Sequence, residues 1–344
     1  MSRRTLTLLL ASLFAVVLTG AAFATPVPYV ALGPGPTYNT LGEVGGTPVI
    51  DIEGTRVFPT DGHLDLTTVG VQPSLTMLEA LRDWFDRDLA VVPRDAVYPP
   101  GKSNAEVNAE NTKSMVRSQS SATTAAARQL GFDTVRVQVG AVADGSPADG
   151  RLEPGDVLLS VDGALVTDEA RLRALIAAGG VGKALQVRYE RKGAAATTVI
   201  TTGAAAEDAS RPVIGISPVE SAVDLPFKVD ITLAEVGGPS AGLMFSLGIL
   251  DKLGAPSLTG GKFIAGTGEI TADGTVGPIG GIPQKLIAAR AKGAVAFLVP
   301  EANCAEAATR APAGLALLKV ADLDGALDGL EALRAGGSPV LCGT

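Results

Sequence analysis

The chain has 344 residues, enough for two globular domains of about 150 residues or three smaller ones, which excludes a single small domain. Lys plus Arg total 28 against 36 Asp plus Glu, a net charge of −8 that argues against nucleic acid as a partner. A 46% hydrophobic fraction with 42 glycines and 22 prolines excludes whole-chain disorder and long helical bundles.

Arg3 and Arg4 precede Thr5–Ala24, an uncharged apolar run that as a helix spans ~30 Å, the thickness of bilayer hydrocarbon. Residues 1–25 therefore read as a single-pass transmembrane anchor in the cell membrane or as a signal segment, since Ala22-Phe23-Ala24 has the small-x-small form of a cleavage site. The length of the run favours the anchor; cleavage would give a secreted protein. Either way residues 26 onward lie outside the cytoplasm. There Cys304 and Cys342 are expected to pair and close the C-terminal tail, 336–344, the alternative being two buried thiols. With one histidine, His63, and two cysteines, any metal site would need oxygen ligands alone, and no metal or other cofactor is expected.

Residues 26–125 read as an extracytoplasmic N-terminal region. It opens with a Pro- and Gly-rich extended segment, followed by short strands at Thr47–Ile52 and Leu64–Val71. Met77, Leu78, Leu81, Trp84 and Phe85 recur at helical spacing after Ser74, which predicts an amphipathic helix packed on its neighbours with Trp84 in the core. The polar, Ala/Ser/Thr-rich stretch Ser103–Gln129 reads as a surface-exposed helical linker. Between them, Ala96–Ser103 ends in Gly-Lys-Ser but lacks the first glycine of a phosphate loop and holds two prolines, so it reads as a turn and no nucleotide is expected.

From residue 130 the pattern alternates: strands at Val135–Val142 and Asp156–Gly163, a helix over Asp168–Ala178, then a hairpin of Leu185–Gly193 and Thr197–Thr202. Five or so strands with one or two helices make a small, partly open barrel. Gly145-Ser-Pro-Ala148, Leu152, Gly155-Asp156 and Val161-Asp-Gly163 resemble a PDZ domain of the bacterial protease-associated type, placed at 126–205. The resemblance implies that Leu130-Gly131-Phe132 is the loop receiving a peptide carboxylate; otherwise Phe132 is simply core.

A Gly-punctuated α/β pattern follows, over 211–335. Gly238-Pro-Ser-Ala-Gly242 precedes an unbroken apolar helix, with Pro239 suited to the first helical position and Ser240 at the helix N-terminus, where free N–H groups favour an oxyanion. The stretch fits G-x-S-x-G, but no histidine follows the serine, and His63 stands in the wrong chain order for a Ser-His-Asp triad. A buried lysine is the substitute base. Lys285, in the first turn of a helix opened by Pro283 and flanked by Ile282, Ala288 and Ala289, is the candidate, whereas Lys292 at the helix end reads as a capping cation.

Gly238–Gly242, Thr267-Gly-Glu-Ile270, Gly277-Pro-Ile-Gly-Gly281, Lys285 and Val299-Pro300 with Asn303 together resemble the proteolytic domain of Lon proteases. That resemblance implies Ser240 as nucleophile and Lys285 as general base, with Thr267 orienting the amine and backbone N–H groups around Gly237, Gly238 and Ser240 forming the oxyanion hole. Lon has an aspartate where Gly237 stands, with Glu235 here either its replacement or a solvated side chain, and it couples hydrolysis to an ATPase module for which no motif is found. Anchor, PDZ and Lon-type segments together resemble membrane-bound PDZ-containing Lon-like proteases. The expectation is a multidomain α/β (α+β) chain: an ATP-independent serine endopeptidase that takes unfolded or flexible polypeptides as partners, able to form a homo-oligomer, and using its PDZ domain to select substrate. The alternatives are a PDZ adaptor whose protease domain is latent or self-cleaving, and an esterase or amidase of small substrates.

Overall fold

The computed structural model describes residues 3–132, 135–222, 225–233 and 236–343. The chain forms two compact units, residues 1–126 with 227–344, and residues 127–226.

The first unit begins with α1 (Arg3–Ala24), a helix long and apolar enough to cross a membrane and with none of that stretch buried. The strands β1 (Pro26–Val27), β2 (Tyr29–Asn39), β3 (Ile50–Glu53), β4 (His63–Gln72) and β5 (Leu75–Thr76) follow, with a two-residue hairpin pair, Glu43–Val44 and Thr47–Pro48, between β2 and β3. Then come α2 (Met77–Trp84), β6 (Ala90–Pro93) and α3 (Asn104–Gln129). A capping box starts α2: the Thr76 hydroxyl accepts from the Glu79 N–H, and the Glu79 carboxylate accepts from the Thr76 N–H at 2.8 Å. The helix is where expected, but its apolar face is not in the core. Trp84 is 66% exposed and Phe85 78%, whereas the helix's buried residue is Asp83.

The expectation of an exposed linker over Ser103–Gln129 is also overturned. Val107, Met115, Ala122, Ala125 and Ala126 of α3 are buried. Its small residues let another backbone approach closely: the Ser118 hydroxyl donates to the Pro239 carbonyl at 2.9 Å, and Ser246 donates to the Ala122 carbonyl at 3.2 Å.

The second unit is an antiparallel sheet of β7 (Val135–Val142), β8 (Val157–Val161), β9 (Ala184–Arg191), β10 (Ala194–Thr201) and β11 (Ile216–Ala222), with α4 (Glu169–Gly179) between β8 and β9 in sequence. Strand order is β10-β9-β8-β7-β11. Alternate residues of β9 point inward, as a half-buried strand requires, and Leu185, Val187 and Tyr189 meet Val137, Val139, Leu158, Leu172 and Ile200 in one core. The edge strand β11 comes from residues beyond 205, so this unit continues past the end expected for the PDZ segment.

The chain then returns to the first unit through β12 (Lys228–Ile231), α5 (Gly242–Leu253), β13 (Phe263–Gly266), α6 (Ile282–Ala291), β14 (Ala296–Pro300), α7 (Cys304–Thr309), β15 (Ala316–Val320) and α8 (Leu323–Arg334). A mixed sheet in the order β15-β14-β13-β4-β2-β6 joins both halves: β4, β13, β14 and β15 are parallel, and β2 and β6 add antiparallel. Residues 26–125 thus contribute three of its strands and do not form a region of their own. All five residues of β14 are buried, as in a parallel strand covered on both faces. Helix α5 is buried on every side from Gly242 to Asp251. Cys304 and Cys342 form a disulfide, and the Cys342 N–H donates to the Leu317 carbonyl, so the tail is strapped along β15.

Candidate active site

Ser240 lies on the turn just before α5, which begins two residues later, at Gly242. Gly238 takes a left-handed φ of 90°, and its N–H donates to the Asn111 carbonyl of α3 at 2.9 Å. At Gly237 a Cβ would stand 2.8 Å from the Asn111 Cβ, so close packing of α3 explains why no side chain, aspartate included, occupies that position. The Gly238 amide, one donor expected for an oxyanion, is therefore already bonded, whereas Gly237, Ser240 and Ala241 of the same turn line the cleft. Glu235 lies outside the described residues.

Lys285 is delivered by α6. Gly281 ends the preceding loop in a left-handed conformation, Pro283 fits the first turn, and Ile282, Leu286 and Ala289 anchor the helix in a core with Ala265, Phe297 and Val299. This turns the Lys285 side chain inward, where it is 3% exposed. Its Nζ is 2.9 Å from Ser240 Oγ and 2.8 Å from Thr267 Oγ1. The Thr267 hydroxyl, fully buried, donates in turn to the Ser240 carbonyl at 2.9 Å, which also accepts the Gly268 N–H at 2.9 Å. Burial disfavours the ammonium and pushes the Lys285 amine down to about 7. Serine, lysine and threonine, expected from separate motifs, thus meet in one hydrogen-bonded cluster.

The cluster opens into a cleft of about 340 Å³. Its walls are Thr67, Thr68, Val69 and Val71 of β4, Pro36 and Tyr38 of β2, and Asn111 and Met115 of α3. Sequence reasoning missed these residues. The buried periodicity of α3 was the one available signal, obscured by its polar composition. His63 lines no part of the cleft; it stacks on Phe263 with ring centroids 4.5 Å apart, 3.5 Å from an Asp65 oxygen.

In the second unit a larger cleft, about 600 Å³, runs between Leu172, Arg173 and Ile176 of α4 and the segment Arg211–Ile216 with Pro218. Leu130, Gly131 and Phe132 do not line it. They close α3: Gly131 has φ 83°, its N–H donates to the Arg128 carbonyl at 2.9 Å, and the Phe132 N–H donates to the Ala127 carbonyl at 3.0 Å, the two bonds of a Schellman cap. An equivalent apolar-Gly-apolar signal, Ile214-Gly215-Ile216, stands at the cleft itself.

Residues 107–202 match the family described as PDZ domain, and residues 229–325 match the Lon protease (S16) C-terminal proteolytic domain. A Lon protease of Lachnoclostridium phytofermentans is 44% identical over 69 residues, covering 19% of this chain and 8% of its own. One from Rhizobium meliloti is 31% identical over 158 residues, covering 45% of this chain and 18% of its own. The chain thus spans less than a fifth of the length of these relatives. The PDZ domain of an SdrC-like protein from Listeria monocytogenes aligns at 25% identity over 26% of this chain and 90% of its own, with a TM-score of 0.23. The chain carries a PDZ domain and, C-terminal to it, a Lon-type proteolytic domain.

Proposed function

We propose that the chain is an ATP-independent serine endopeptidase that acts outside the cytoplasmic membrane on unfolded or flexible polypeptides through a Ser240–Lys285 dyad. The observation that carries this reading is the amine of Lys285, buried, near pKa 7 and 2.9 Å from Ser240 Oγ. A neutral lysine accepts the serine proton as Oγ attacks the scissile carbonyl; the resulting ammonium then protonates the leaving amine. The amine next takes a proton from water, which hydrolyses the acyl-enzyme and regenerates Ser240. Thr267 positions Nζ by accepting one of its hydrogens. The amides of Ser240 and Ala241, at the head of α5, supply charge stabilisation for the tetrahedral oxyanion. An extended substrate segment fits beside the exposed end of β4, and the cleft beside α4 receives a second segment by strand addition to β11.

The bond from the Gly238 amide to Asn111 favours a second reading, a PDZ adaptor with a latent protease domain, because that donor is free for an oxyanion only if the bond opens. The two are separated by incubating the full chain with unfolded casein without nucleotide, beside S240A and K285A. Cleavage by the parent that both variants lose supports the peptidase. Cleavage that survives S240A refutes the dyad, and a parent that binds peptides but leaves casein intact supports the adaptor.

A further inference from the structure

We propose that α2 is an interfacial helix that seats the proteolytic unit in the lipid headgroup region, resting on the reading of α1 as a retained membrane anchor. The outward face of α2 is the apolar one: Met77, Leu81, Trp84 and Phe85 are all more than half exposed, while Asp83 is buried at 1%. The helix is properly capped, so the inversion is not a frayed end. In water, this face leaves large side chains hydrated around a shallow cleft of about 400 Å³ formed with Val27, Tyr29 and Val91.

What covers this face follows from the anchor. The carbonyl of Thr25, the first residue after α1, accepts the Met77 N–H at 3.2 Å, and the next two residues pair with the strand leading into α2, Pro26 with Thr76 and Val27 with Leu75. The start of α2 is thereby fixed to the point where α1 leaves the hydrocarbon. Eight residues make a helix ~12 Å long, so no residue of α2 reaches farther than about that distance from that level. A lipid surface is already in reach there. An apolar helix face with Trp and Tyr at its edge is the chemistry that partitions into the headgroup–acyl boundary. Val71, in the catalytic cleft, pairs with Leu32, three residues along β2 from Tyr29. The cleft therefore opens about 10 Å along the strand from this face, and polypeptide presented at the membrane surface is the substrate it reaches first.

Trp84 is the chain's single tryptophan, so its fluorescence reads the helix without a substitution. The full chain is reconstituted in phosphatidylcholine vesicles with plain or brominated acyl chains. Blue-shifted emission quenched severalfold by the brominated lipid is expected, and the variant L81E/F85E, which keeps Trp84, should lose most of that quenching. Water-like, unquenched emission from a chain that co-floats with the vesicles would overturn the docking and leave the anchor standing. Blue-shifted but unquenched emission would point to a second copy or a peptide on this face and overturn the lipid assignment. A chain that does not co-float would overturn the anchor and the proposal with it. Casein cleavage plays no part in this readout, so the peptidase reading stands or falls separately.

Discussion

Acidification is the most direct perturbation of the Ser240–Lys285 pair. A lysine with the ordinary value of 10.5 keeps only about one amine in three thousand neutral at pH 7, whereas one pushed down to about 7 keeps half. Burial alone therefore accounts for a gain of about a thousandfold in competent base at neutral pH. On lowering the pH from 8 to 5.5 the neutral fraction falls to about 3%, so kcat/KM should drop roughly thirtyfold along a single proton limb centred near 7. The assay is initial-rate hydrolysis of a fluorogenic peptide between pH 5 and 9, paired with the labelling rate of Ser240 by a fluorophosphonate, which isolates nucleophile activation from substrate binding. A limb that is still rising at pH 9 in both measurements would refute the claim that burial tunes this lysine. Stability carries the same sign. Between pH 7 and 10.5 the unfolded chain holds a proton on Lys285 that the folded chain lacks, so stability rises with pH across that window and the full penalty applies below pH 7.

K285M removes the buried amine while keeping the side-chain length. It should abolish cleavage yet raise the unfolding free energy measured by urea denaturation at pH 6, by about several kcal/mol at most, with the gain shrinking towards pH 10; a variant less stable than the parent at pH 6 contradicts the desolvation argument. T267V deletes the acceptor at 2.8 Å from Lys285 Nζ and should cost about tenfold to a hundredfold in kcat/KM, equivalent to ~1.5–3 kcal/mol. Because that oxygen stabilises the ammonium, the acid limb should also move below 7, and T267S should restore both; an unmoved limb would reduce Thr267 to packing. Reducing the Cys304–Cys342 bridge, which closes a loop of 38 residues, should cost about 4 kcal/mol in chemical denaturation while sparing kcat below the melting range. Loss of kcat at temperatures where circular dichroism is unchanged would show that the bridge shapes the site.

Local patterns already carried the anchor-length helix, the succession of short strands and helices, and the serine, lysine and threonine of the site. Each signal needs only a few neighbouring residues: an uncharged run, a glycine-flanked serine before an apolar helix, a lysine in the first turn after a proline. With His63 as the chain's one histidine, composition alone points to lysine as the base. Tertiary structure alone decided that these groups meet, since Ser240 and Lys285 are 45 residues apart and close to 2.9 Å only because the Ser240 carbonyl is held by Thr267 and Gly268 just after β13, while α6 packs in one core with β13. It also reversed two readings made from periodicity. The Ala/Ser/Thr-rich α3 looked solvated, yet small residues are what permit its backbone to approach Pro239 and Gly238, and that benefit depends on a partner 121 residues away. The apolar stripe of α2 looked like core, because spacing shows which residues share a face and not what the face meets. That the stripe turns outward, beside the end of α1 where the Thr25 carbonyl accepts the Met77 N–H, is a long-range arrangement that no window of sequence contains.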